Sequence, residues 1–154
     1  MKKIMIAGAG KIGSAIAALL GATPDYHVTV ADASPAALAG LKASPHVQRL
    51  ALDISDPLAL RAALAGQFAV LSAAPFHLTT PIAEAAVDQG VHYLDLTEDV
   101  ASTRRVKELA GTARSALIPQ CGLAPGFVSI VAADLCRRFD SLHSVRMRDR
   151  KSVV

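Results

Sequence analysis

A chain of 154 residues with 52% hydrophobic and 19% charged residues fills one domain of ordinary size and excludes global disorder. Aromatic residues make up only 4%, without Trp, and the net charge is +3, so neither base stacking nor attraction to a polyanion is supplied and no nucleic-acid partner is expected. Two cysteines, Cys121 and Cys136, are too few for a disulfide scaffold, and no CxxC or His-rich spacing asks for a metal.

Met1-Lys2-Lys3 and the apolar stretch after it imitate a signal peptide, but Lys11 interrupts that stretch and the glycines fall in a pattern of their own. The run Lys3–Ala7 therefore reads as a buried strand, followed by a helix over Gly13–Leu20. His27–Ala31 is a second strand, and Ser34-Pro35 supplies an N-cap and a first-turn proline for a helix to Lys42. Val47–Leu52 is a third strand, with Asp56-Pro57 opening the next helix. Phe68–Ser72 is a fourth strand, and a helix runs from Thr80-Pro81 to Gln89, ended by Gly90. Val91–Leu96 is a fifth strand, with a helix over Val100–Arg114 after it. Ala116–Gln120 is a sixth strand weakened by Pro119. A Gly/Pro loop over Gly122–Gly126 leads into a helix over Val128–Arg138, and His143–Arg148 opens another strand.

Strand and helix alternate throughout, and the strands are continuous apolar runs. That combination predicts an α/β fold, a doubly wound parallel sheet covered by helices on both faces. No run reaches the roughly 18 apolar residues of a membrane span, so no membrane association and a cytoplasmic location are expected.

Gly8-Ala9-Gly10-Lys11-Ile12-Gly13 fits G-x-G-x-x-G directly after a strand and at the opening of a helix, the context in which this hexapeptide has mechanical meaning. Gly8 permits the tight turn, Gly10 lets the backbone approach a pyrophosphate, and Gly13 lets helix and strand pack closely. The start of the helix offers free N–H groups to the phosphates. Asp32 follows at the end of the second strand, 19 positions after Gly13, where a carboxylate meets the ribose hydroxyls. It favours NAD and repels the extra phosphate of NADP, and no Arg follows it in Ala33-Ser34-Pro35.

Asp53 and Ile54, after the third strand, are placed to accept from the adenine amino group and to pack on the ring; a helix cap is the equal alternative for Asp53 and the better one for Asp56. Ala73, Ala74 and Pro75 end the fourth strand with the small residues that close passage of a nicotinamide ribose needs.

Three later motifs narrow the field: Ala74-Pro75-Phe76-His77, Val91-His92-Tyr93-Leu94-Asp95-Leu96-Thr97-Glu98 and Gly122-Leu123-Ala124-Pro125-Gly126-Phe127. In this order after the glycine fingerprint, the chain resembles the saccharopine dehydrogenase-like family over residues 2–148, with the turn at residues 122–127 its most specific piece. The resemblance implies the Rossmann part of a larger enzyme, with pyridine-nucleotide chemistry at the carbon–nitrogen bond of a small-molecule substrate, usually an amino acid, and a homodimeric full-length protein. It implies hydride transfer between nicotinamide and an amine/imine carbon, with His77, Asp95 and Cys121 as candidate catalytic proton carriers and Thr97 at the cofactor. For His77 simple surface exposure is an equal reading, and Cys121 also reads as a small buried apolar residue. Phe76 stands where some saccharopine reductases carry a tyrosine, which leaves a phenol role there unfilled. The competing reading is a stand-alone nucleotide-sensing domain without catalysis, of the kind that gates potassium channels.

The expected organisation is a dinucleotide-binding domain over residues 1–142, the first strand of a substrate and dimerisation domain over residues 143–148, and a non-native tail over residues 149–154. The tail reads Asp149-Arg150-Lys151-Ser152-Val153-Val154, which one frame of a common sequencing adapter also encodes.

Overall fold

The computed structural model describes residues 1–147; the proposed tail at 149–154 lies outside the described residues. The described residues form thirteen elements in which strand and helix alternate, as expected up to residue 142. They include β1 (Lys2–Ala7), α1 (Lys11–Leu20), β2 (Tyr26–Asp32), α2 (Pro35–Ala39), β3 (Val47–Ala51), α3 (Pro57–Leu64) and β4 (Ala69–Ser72). A 3-10 turn (Phe76–Leu78), α4 (Thr79–Gln89), β5 (His92–Asp95), α5 (Val100–Ala110), β6 (Leu117–Ile118) and α6 (Phe127–Cys136) follow. The six strands form one parallel sheet in the order β3-β2-β1-β4-β5-β6. The order reverses between β1 and β4, so the chain leaves these neighbours in opposite directions and a crevice opens at their carboxyl ends.

Each central strand is apolar on both faces because helices cover both. Met5, Ala7, Val70 and Tyr93 pack with Leu60, Ile82 and Val106 under α3, α4 and α5. On the opposite face Ile6, Val28 and Val30 pack with Ala17 and Leu38 under α1 and α2. Alternate side chains of one strand thus enter two cores.

Local chemistry sets the boundaries. Ser34 and Asp56 cap α2 and α3 by accepting from backbone N–H groups of the first turn, each with proline at the next position. Gly90 ends α4 in the left-handed region at φ 66°. Several boundaries differ from the sequence expectation. α2 stops at Ala39 and α5 at Ala110, each with a glycine directly after. β6 shrinks to two residues because Pro119 has no N–H and Gln120 turns to φ 63°. Residues 143–147 carry no strand, since their alternating pattern finds no neighbouring strand among the described residues. No helix among the described residues is long and apolar enough to cross a membrane.

α6 stands apart. None of its ten residues is buried. Phe127 and Leu135 are exposed, as are Phe139, Leu142 and Val145 beyond it, and they border an apolar groove of about 590 Å³; Ile130 is exposed as well.

Candidate functional site

The glycine turn joins β1 to α1 at the centre of the crevice. Gly8 has φ +110°, and a Cβ there would stand 2.7 Å from the Ala73 carbonyl oxygen. Gly13 is forced by packing instead, because its Cβ would run into the Gly8 carbonyl oxygen. Gly10 differs from both. Its backbone is extended at φ −66° and ψ −174°, which any residue adopts, and a Cβ would meet nothing within 4 Å. Neither conformation nor packing within the chain requires glycine there.

α1 begins at Gly10 without a side-chain cap, in contrast to the capped starts of α2, α3 and α5. The N–H groups of its first turn therefore face the crevice with no side-chain acceptor. Lys11 and Ile12 are exposed on that turn. Asp32 lies at the end of β2, half-buried, with Oδ2 accepting from Ala9 N–H at 2.7 Å and Oδ1 from Ser34 N–H at 2.8 Å. Each carboxylate oxygen has a second lone pair to offer.

The other flank is formed by β4 and β5. Ile12, Ser72, Ala73, Ala74, Phe76 and Thr97 are among the residues around a cavity of about 230 Å³. Pro75 opens the 3-10 turn beside it. His77 is exposed on this turn, edge-on to the Phe76 ring at 5.9 Å between centroids. The structure thus gathers Gly8, Gly10, Lys11, Ile12, Gly13, Asp32, Ala73, Ala74, Pro75 and Thr97 along one crevice.

Asp53 and Ile54 behave otherwise. Asp53 is exposed and accepts from Ser55 N–H at 2.9 Å and Ser55 Oγ–H at 2.6 Å, bonds that hold its carboxyl below the ordinary range. It is not the cap of α3, which is Asp56. Ile54 is buried in the core with Leu60 and Leu64, so its side chain is not free to cover a ring; the apolar residue expected on the adenine is spent on anchoring α3.

Beneath the cavity lies a polar network that sequence reasoning did not foresee. Tyr93 is fully buried and donates its hydroxyl to Asp95 Oδ2 at 3.0 Å, with the Thr79 carbonyl oxygen at 3.3 Å. Burial, and then the neighbouring Asp95 charge, push the Tyr93 phenol far above its ordinary range. Asp95 is itself fully buried. The Cys121 thiol is pushed up by burial and then by Asp95, which keeps it protonated at neutral pH, and it donates to the Ile118 carbonyl oxygen at 3.3 Å. Cys136 lies on α6, away from the crevice. Asp99, absent from the sequence-based candidates, caps α5 through Ser102 N–H at 2.7 Å, and the acidic residue just before Val100 was the available signal. No group of three potential metal ligands occurs among the described residues.

Comparison with known proteins agrees with this geometry. The sequence profile of the saccharopine dehydrogenase NADP binding domain matches residues 4–118. Among solved structures, the apo saccharopine dehydrogenase (L-Glu forming) from Saccharomyces cerevisiae is similar with a TM-score of 0.74 and 22% identity, over 89% of this chain and 32% of that one. UDP-glucuronic acid 4-epimerase from Bacillus cereus, solved with NAD, is similar at 0.62 and 15% identity, over 76% of this chain and 55% of that one. A Rossmann-fold NAD(P)-binding family protein from Shigella flexneri is similar at 0.59 and 18% identity, over 77% of this chain and 66% of that one. These likenesses show the fold. The chain spans about a third of the yeast enzyme.

Proposed function

The chain belongs to the family of saccharopine dehydrogenase NADP binding domains, a Rossmann nucleotide-binding unit of oxidoreductases, and on that footing we propose that it binds NAD in the crevice around Gly10 as the cofactor part of an amino-acid dehydrogenase. The observation that carries the reading is Gly10. A glycine that the chain itself does not require, at the head of an uncapped helix, is explained by a ligand whose backbone-close approach a Cβ would block.

Asp32 supports NAD over NADP. Its carboxylate is fixed by Ala9 and Ser34, retains lone pairs for two ribose hydroxyls, and would face a 2′-phosphate with like charge. Asp53 is open to the adenine end. Ala73, Ala74, Pro75, Ile12 and Thr97 would receive the nicotinamide half, where small side chains leave room.

Bound there, the nicotinamide supplies hydride exchange with the carbon of a carbon–nitrogen bond. This chain's residues would bind and orient it and manage protons. His77 is the side chain in the candidate set with open access to a reactant, beside Phe76 at the cavity. Cys121 is held as a thiol and would serve as a donor rather than a nucleophile. An amino acid or related amine is the substrate class that the family points to. Residues 1–142 would form the cofactor domain, with the apolar groove along α6 facing a further domain that carries substrate contacts and the dimer interface.

Titration calorimetry with NAD and NADP tests the reading. NAD is expected to bind at least about tenfold more tightly, a difference near 1.4 kcal/mol. Equal affinities would overturn the role given to Asp32, and failure to bind either would overturn the dinucleotide reading.

A further inference from the structure

We propose that Asp95 is a positioning residue for the nicotinamide end of the crevice, acting through Thr97, while the same carboxylate fixes the turn at Gln120. The proposal rests on the dinucleotide reading and adds to it a residue that no ligand would touch.

One buried carboxylate ties three stretches of chain together. Oδ1 accepts from Thr97 N–H at 3.0 Å and from Gln120 N–H at 3.0 Å. Oδ2 accepts from the Tyr93 hydroxyl at 3.0 Å. The Asp95 carbonyl oxygen accepts from Cys121 N–H at 2.7 Å. Asp95 thus connects the end of β5, the turn into α5 and the loop between β6 and α6.

The two anchored amides lie in different places: Thr97 is at the cavity, and Gln120 lines a separate pocket beside Val100 and Arg104. Thr97 borders the cavity next to Ala73, Ala74 and Ile12, so the bond to its N–H sets one wall. Gln120 is the one non-glycine residue with positive φ among those described, at 63°. A side-chain-bearing residue is held in the left-handed region only where its surroundings over-determine it. The bond from Gln120 N–H to Asp95 is the visible restraint. The loop beyond is close to β5 as well, since a Cβ on Gly122 would stand 3.0 Å from the Leu96 carbonyl oxygen.

The geometry also says why an acid of this length serves. A single oxygen receives two backbone N–H groups from different segments, and the other receives a phenol. Asparagine can keep the first arrangement: its Oδ1 accepts both amides, while its NH2 faces the Tyr93 oxygen and the Tyr93 hydroxyl turns to the Thr79 carbonyl oxygen. Alanine removes the three contacts of the carboxylate, to Thr97, Gln120 and Tyr93, and keeps the backbone bond from Cys121 N–H.

The test compares Asp95→Asn and Asp95→Ala in the 154-residue chain, with two readouts. The first is amide hydrogen exchange at Thr97 and Gln120, which needs no ligand. Asp95→Asn is expected to leave both amides within about threefold of the parent, and Asp95→Ala to speed both by roughly tenfold or more, the scale of a lost charge-assisted hydrogen bond. The second compares affinity for NAD with affinity for ADP-ribose, which lacks the nicotinamide. Asp95→Ala is expected to weaken NAD by about tenfold while ADP-ribose stays within about twofold, and Asp95→Asn to restore NAD binding. A purely structural defect would weaken both ligands together, and that result would overturn the proposal. Fast exchange in Asp95→Asn would overturn it too, even if Asp95→Ala fails to fold. If the parent chain binds neither dinucleotide, the nucleotide reading fails, and exchange at Thr97 and Gln120 still decides whether Asp95 holds them.

Discussion

Asp32 accepts the backbone N–H of Ala9 at 2.7 Å, so the end of β2 and the glycine turn after β1 are fastened through the carboxylate that would meet a ribose. Loss of that carboxylate should have two effects at once. Asp32→Ala is expected to cost about 1–3 kcal/mol of stability, because the Ala9 and Ser34 amides lose a charged acceptor. It should also bring the NAD and NADP affinities to within about threefold of each other. Denaturant melts and calorimetry check both. A variant that keeps its NAD preference would show that selection lies elsewhere.

Two glycines separate folding from binding. Gly13→Ala would drive a methyl into the Gly8 carbonyl and is expected to destabilise the fold by about 1–3 kcal/mol or more. Gly10→Ala meets open space and should cost no more than about 1 kcal/mol, the difference between glycine and alanine at a helix N-cap. Yet Gly10→Ala should lower NAD affinity by at least about tenfold, since only the ligand needs that space. Thermal melts beside titrations of both variants give the result directly.

Those glycines mark how far the sequence could be read. The strand-turn-helix spacing around Gly8 and Gly13 and the acid at Asp32 follow from backbone rules that leave a local imprint. Element types were legible for the same reason, since buried parallel strands must be continuous apolar runs. Ile54 was misjudged because its local pattern does not reveal which side of the loop meets the core. Asp95 looked like an available acid because burial is a tertiary property. The sequence does not show that Tyr93, Thr97 and Gln120 converge on it. The shortened β6 was half visible in Pro119, but the turn at Gln120 depends on an acceptor 25 residues away.

Alkaline pH should expose the Tyr93 network. The Tyr93 phenol titrates far above its ordinary value in the fold, chiefly from burial and secondarily from Asp95. A raised folded value means that its contribution is fully present below the unfolded value of about 10 and is lost as pH climbs beyond it. Stability is therefore expected to fall steeply above about pH 10. In Tyr93→Phe that fall should be shallower, while stability at pH 7 drops by about 1–3 kcal/mol because Asp95 loses its phenol donor. Urea melts at several pH values provide the comparison.

Thiol chemistry offers an independent probe. Burial first and Asp95 second raise the Cys121 thiol above its ordinary value. In a Cys136→Ser background, Cys121 should alkylate more slowly at pH 7.5 than a free cysteine, with a rate that climbs only in the alkaline range. Asp95→Asn should accelerate it by lifting one of the two causes. A rate equal to that of free cysteine would contradict the environment described for residue 121.

The bareness of α6 divides the molecule into two levels of cooperativity. The sheet and its five packed helices share two cores and should melt together, whereas a ten-residue helix with no buried side chain draws little from either. A helix that short is marginal in water without packing. Its amides should exchange through local opening at free energies far below that of global unfolding, while those of β1 and β4 open only with the whole domain. Heating should then unwind α6 first, as a shallow loss of helical signal ahead of the main transition.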